Sequence, residues 1–279
     1  MSKPLSSYHP LLYWLRVNQR RLFRHLFWYC SSRQYSLERS HDLRLPYRYK
    51  KHTSKLIRRL GNSDIQLQYN KVINLKIAVD SLNGILIKPG EYFSFCRLVG
   101  KPTKKRGFVN GMELSFGVAR SGIGGGICQI SNLIHWLALH SELQIVERAN
   151  HSFDPFPDDG RVLPFGSGAA VFYNYIDLII YNPTDKTFQI MLHVGEHQLE
   201  GELLCDEERQ YSYHVYEKQH AFIKRQCVIY RKNEIWRDTM TKNNVGGAPA
   251  CICSEMMYKN NVIVKYEVNG ELITNEESE

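Results

Sequence analysis

The chain has 279 residues, 43% hydrophobic and 23% charged, enough for a buried core and one or two domains of an ordinary soluble type. Its formal charge of +8 favours anionic partners such as a membrane surface, but no zinc-finger spacing or RNA-recognition signature accompanies it, so nucleic acid is not expected. Seven cysteines, an odd number and widely scattered, argue against a disulfide framework and for reduced thiols.

Residues 1 to about 60 are basic ("RVNQRRLFRH", "RYKKHTSKLIRR") and read as mostly helical. The apolar run from His9 to Cys30 is broken by Arg16, Arg20, Arg21 and Arg24, which excludes an uninterrupted membrane span. Leu11, Leu12, Leu15, Leu22 and Leu26 fall on one helical face with arginines opposite. That pattern fits a helix packed on its own domain, and second an interfacial helix on anionic lipid. No secretory signal or spanning segment is recognised, which predicts a cytoplasmic chain, peripheral at most to the inner membrane face.

Residues 61–184 read as a core domain. Val72, Leu75, Val79 and Leu82 recur at helical spacing, and the Pro89–Gly90 turn leads into a short aromatic strand, "EYFSF". "MELSFGVAR" reads as a strand that delivers the chain into "GIGGGICQ", after which Ile127, Ile130, Ile134 and Leu137 mark an amphipathic helix. "LQIVERANH" returns as a strand, "SFDPFPDDGRVLPFGSG" is a long loop, and "AAVFYNYIDLIIYNPTD" is a β region stopped by Asn182–Pro183. Residues 185–279 form short alternating segments separated by turns, a β-rich C-terminal region in which Cys251 and Cys253 suit buried strand positions better than a zinc site. The fold class expected is α+β: a mixed core with a strand, a glycine-rich corner and a helix, followed by the β-rich region.

The corner is the chemical candidate. A strand–glycine–helix connection puts Cys128 at a helix N-terminus, where unpaired N–H groups and the macrodipole favour a thiolate. Gly124, Gly125 and Gly126 let a substrate approach and their amides could hold an oxyanion, helped by the Gln129 side chain. The base expected is His151, oriented by Asp154 or by Asp158 and Asp159. His135 lies seven residues on, about 10 Å along the axis, too far to take the proton. "GIGGG" lacks the Gly-Lys-Ser/Thr of a phosphate loop and the spaced third glycine of a dinucleotide fingerprint, so no nucleotide, metal or other cofactor is expected.

"PGEYFSF", "GGGICQIS" with its apolar helix, "ERANHS" and the segment ending near "YNP" resemble the VanW family, named for an accessory protein of vancomycin-resistance gene clusters. The resemblance is strong over residues 70–185 and extends through "DPFPDDGRVLPFGSG" to "YRKNEIWR". It implies a part in glycopeptide resistance and cell-wall metabolism, with a peptidoglycan precursor or stem peptide as partner. Larger relatives are implicated in cross-linking of the L,D-transpeptidase type, which would make Cys128 the acylated nucleophile and His151 its base. Those relatives carry an acid where this sequence has Gly168. The alternative is a non-catalytic accessory module that binds a precursor carboxylate near the membrane.

Overall fold

The computed structural model describes residues 9–58, 64–115, 118–151, 153–155, 157–158, 162–241 and 249–275. Its elements run α1 (Pro10–Cys30), β1 (Tyr47–Lys55), α2 (Gln66–Leu82), β2 (Ile85–Ile87), β3 (Tyr92–Ser94), α3 (Phe95–Val99), β4 (Asn110–Ser115), β5 (Val118–Ile123) and α4 (Cys128–Ala138). There follow β6 (Gln144–Glu147), β7 (Phe153–Asp154), β8 (Ile179–Tyr181), β9 (Phe188–Val194), β10 (Gln198–Cys205), β11 (Tyr211–Arg225), β12 (Val228–Thr241), β13 (Cys251–Val264) and β14 (Ile273–Asn275). The fold is α+β, with the β-rich C-terminal region expected.

One sheet, β1-β10-β9-β2, takes strands from all three segments into which the sequence divides at 60/61 and 184/185. Helix α4 lies across it. Leu133 and Leu137 settle over Gly201 of β10, where a Cβ would press on both leucines. Trp136 of α4 and Leu139 just past its end pack on Val215 of β11 and Ile235 of β12. Those strands belong to a second sheet, β14-β11-β12-β13-β7. Buried between two sheets, α4 must be apolar on most of its circumference, and residues 130–138 of it are buried except Asn132.

Two elements differ from expectation. "MELSFGVAR" is not one strand but most of a hairpin, β4 paired antiparallel with β5 from Asn110↔Ile123 to Ser115↔Val118. The apolar–polar alternation runs through both limbs, so it carries no mark of the reversal. Cys251 and Cys253 do lie in a strand, β13, but they are exposed. The first half of that strand is open on both faces, because there the β12–β13 ribbon reaches past the core.

Helix α1 begins with Pro10 in its first turn and with His9 Nδ1 accepting the Leu11 amide. It packs on its own domain, yet with the face opposite to the one its leucines suggest. Val17 is buried; Arg24 holds Glu147 through two bonds of 2.5 and 2.6 Å, and Arg21 Nε donates to the Tyr173 carbonyl at 3.2 Å. Leu11, Leu15, Leu22, Phe23 and Leu26 face outward and are exposed. The wall it meets explains the choice. "FYNY" (172–175) offers ring faces to guanidinium groups, Arg21 lying 5.3 Å from the Phe172 centroid and Arg20 5.3 Å from Tyr175. No helix among the described residues is long and apolar enough to cross a membrane.

Candidate functional site

Each glycine of the corner answers to a local steric demand. Gly124 and Gly126 have φ of +79° and +93°, a region that residues with a Cβ rarely enter. Gly125 has no such angle, but a Cβ there would strike the backbone of Gly111 on β4. A Cβ on Gly126 would strike the stem of Lys71 on α2. Asn74 of α2 fastens the corner: its Nδ2 donates to the carbonyls of Gly125 (2.9 Å) and Val109 (3.0 Å), and its Oδ1 accepts the Val109 amide at 2.9 Å.

This geometry redistributes the amides available to an oxyanion. The Gly124 and Gly125 N–H groups donate to Val109 and Gly122, both at 3.0 Å, so they are occupied within the corner. Helix α4 has no side-chain cap, and the amides of Gly126 and Ile127, just ahead of its first residue, have no acceptor among the described residues. Gln129 lines the same space, but its Nε2 donates to Ser54 Oγ (2.8 Å) and the Lys55 carbonyl (3.0 Å), tying α4 to β1. Of the groups expected to face an oxyanion, the Gly124 and Gly125 amides and the Gln129 side chain are thus engaged within the protein, whereas the Gly126 amide has no acceptor among the described residues.

Cys128 opens onto a cleft of about 760 Å³, and His151, Gly124, Gly125, Gly126 and Gln129 line it too. The Cys128 thiol donates to the Val171 carbonyl at 3.6 Å. Burial pushes its pKa above the ordinary thiol value, against the lowering expected at a helix start. The imidazole of His151 is half-buried, and its backbone amide donates to Asn150 Oδ1 at 2.9 Å.

Asp154 is held by the C-terminal sheet. It is 2% exposed on β7, does not line the cleft, and accepts from Arg231 Nη1 and the Tyr266 hydroxyl, both at 3.0 Å. Arg231 also bonds Asp158, and it stacks 4.1 Å from the Phe165 ring centroid. Asp154 and Asp158 together fix the β7 strand and its loop to the C-terminal sheet. Asp159 lies outside the described residues. Around Gly168 the space is taken by Asn132 of α4, whose Oδ1 accepts the Ala169 amide at 2.7 Å. His135 is fully buried: its Nδ1 donates to the Ser167 carbonyl (2.8 Å), the Tyr258 hydroxyl donates to Nε2 (2.9 Å), and burial lowers its pKa to about 3. It is a structural histidine.

Sequence reasoning missed the charge of the cleft. Arg21, Lys55, Arg58, Lys71, Lys101 and Arg120 line it against one carboxylate among the described residues, Glu113, which Arg120 bonds at 2.7 Å. Two cleft groups come from α2, Gln68 and Lys71, both buried. They occupy the helical face that continues as Asn74, Leu75, Ala78 and Leu82, and a run of polar residues at the start of an otherwise apolar stripe is the signal that could have found them.

A family model described as "VanW like protein" matches residues 70–204. The chain is 36% identical over 174 residues to the Vancomycin B-type resistance protein VanW of Enterococcus faecalis, covering 62% of this chain and 63% of that protein. It is 32% identical over 89 residues to a Bacillus subtilis protein named YoaR and described as uncharacterized, covering 32% of this chain and 29% of that one. The aligned segments thus span less than two thirds of either relative. No solved structure matches the chain.

Proposed function

Because this chain belongs to the VanW family, we propose that it takes part in resistance to vancomycin-type glycopeptides by acting on a peptidoglycan precursor or stem peptide in the Cys128 cleft. The observation that carries this reading is the coincidence of a thiol, an imidazole, an uncapped helix start and a basic wall around one cavity. In the catalytic form, His151 takes the thiol proton and Cys128 Sγ attacks a peptide carbonyl. The carbonyl oxygen gathers charge against the Gly126 and Ile127 amides. The C–N bond then breaks, His151 returns its proton to the departing amine, and a second amine or water releases the thioester. General-base assistance of this kind is worth roughly 10²–10⁴ in rate.

A second reading is favoured by the state of the thiol. Cys128 is a half-buried thiol that donates to Val171 and whose pKa is raised, which suits a module that binds an anionic peptide without reacting with it. In either reading the chain works in the cytoplasm, where its seven free cysteines would stay reduced, and the outward leucine face of α1 meets an anionic membrane surface.

Intact-mass spectrometry separates the two readings. The full chain and Cys128→Ala are incubated with muropeptides and D-amino acids. An acyl adduct on the wild-type chain alone is expected for acyl transfer. Equal ligand affinity in both proteins with an adduct on neither would leave binding as the function.

A further inference from the structure

Lys71 and Gln68 are one turn apart on α2, and the buried face of that turn closes the cleft beside the start of α4. Lys71 is 7% exposed, its stem lies along Gly126, and its Nζ donates to Gln68 Oε1 at 2.8 Å. A neutral amide is thus the acceptor of a buried ammonium; no carboxylate among the described residues pairs with it. The bond also fixes how Gln68 points. With Oε1 turned to the lysine, Nε2 is a buried donor without an acceptor, on a residue only 1% exposed. Next to it α4 begins uncapped, with the Gly126 and Ile127 amides unpartnered and the positive end of an 11-residue helix behind them.

We propose that Lys71, Gln68 and the amides of Gly126 and Ile127 form a subsite for a carboxylate, and that the ligand of the cleft is a peptide whose free carboxylate sits there beside Cys128. This deepens the peptide reading of the cleft, but it needs no chemistry at sulfur. An ammonium, a side-chain N–H and two backbone N–H groups match a singly charged planar acceptor. A phosphate would carry more charge than Lys71, the one cation bonded within the subsite, neutralises, and would have to draw on Arg58 as well. Lys71 registers the missing partner: burial first, and then the Arg58 charge, lower its pKa to about 8. Glu113, the carboxylate that could compete from within the cleft, is engaged by Arg120.

Calorimetric titration of the full chain with acetyl-D-alanyl-D-alanine and with its C-terminal amide tests the subsite. The acid should bind wild type and Cys128→Ala equally, the amide at least tenfold more weakly. Lys71→Met should lose at least tenfold in affinity for the acid while staying folded by thermal unfolding, because it removes an uncompensated buried charge. Should that variant not fold, Gln68→Glu places a carboxylate in the subsite and should abolish binding. Unchanged affinity in Lys71→Met or Gln68→Glu, equal affinity for acid and amide, or no binding by wild type overturns the proposal. Inorganic phosphate binding more tightly than the dipeptide, with that binding lost in Lys71→Met, overturns the assignment to a carboxylate. Missing acyl adducts would remove acyl transfer alone, since this readout is equilibrium affinity.

Discussion

Cys128 is pulled in two directions, and magnitudes decide the outcome. A helix N-terminus stabilises a negative charge by roughly 0.3–1 kcal/mol, less than the ~1.4 kcal/mol that corresponds to one pKa unit. Enclosure away from water acts the other way and can reach several units, roughly 3–5 for fully buried groups. Burial wins, and the bond to the Val171 carbonyl further suits the protonated thiol's role as donor. Because the pKa is raised, the thiolate fraction at any given pH lies below that of an ordinary cysteine. At pH 7.5 iodoacetamide should therefore label Cys128 at least tenfold more slowly than the exposed Cys30, Cys227, Cys251 and Cys253. Its rate should still climb with pH beyond the range in which an ordinary thiol levels off. Peptide-resolved mass spectrometry reads both. Labelling of Cys128 as fast as the exposed thiols would mean a poised thiolate instead. The cysteine and its glycines were legible because steric need and helix start both write themselves into a short local run. Lys71 was not, because its partner, Gly126, is distant in sequence and only the fold lays the lysine stem on it.

At the scale of elements, α1 carries the clearest disagreement between pattern and packing. A leucine stripe normally turns inward, since burying each such side chain is worth roughly 1.5–3 kcal/mol. Here Arg24–Glu147, the Arg21–Tyr173 bond and the Arg20 and Arg21 ring contacts hold the opposite face, and the stripe is left outside. Periodicity identifies an amphipathic helix, but not which face the rest of the chain will take. That depends on the aromatic segment 172–175, far away in sequence. The exposed stripe adjoins a basic segment in which Arg33, Arg39, Arg44 and Arg48 outnumber Glu38 and Asp42, a pairing suited to anionic lipid. The cleft lies just across the same helix, lined by Tyr13 and Arg21, about 10 Å from the outward face by helix diameter alone. Sedimentation with vesicles containing phosphatidylglycerol should pull down the full chain, less so as salt rises. Leu15→Glu with Leu22→Glu should cut the bound fraction at least tenfold, and leave the chain folded because both sites are exposed. Binding unchanged in that variant, or a dimer in solution that it dissociates, would assign the stripe to something other than lipid.

On the scale of the whole molecule, the reading of the sequence as three successive segments meets a structure in which α4 bridges two sheets. Helices and strands were legible from local periodicity; the arrangement was not, since strand pairings such as β1 with β10 join residues about 150 positions apart. The family match ends at residue 204, yet Trp136 of α4 and Leu139 just after it are covered by Val215 and Ile235, which lie beyond it. Asp154, the acid expected to orient the base, anchors β7 to the same C-terminal sheet through Arg231. If these contacts make one cooperative unit, damage within the C-terminal sheet must destabilise the cleft as well. Ile235→Ala, at a fully buried site, should cost about 2–5 kcal/mol. Arg231→Met should cost about 3–5 kcal/mol by removing the buried guanidinium that bonds both Asp154 and Asp158. In differential scanning calorimetry each variant should shift a single transition downward, and Cys128 should become alkylatable across that same transition rather than above it. A C-terminal transition that separates from the rest, with Cys128 still protected after it, would mean that the β-rich region folds on its own and only leans on α4.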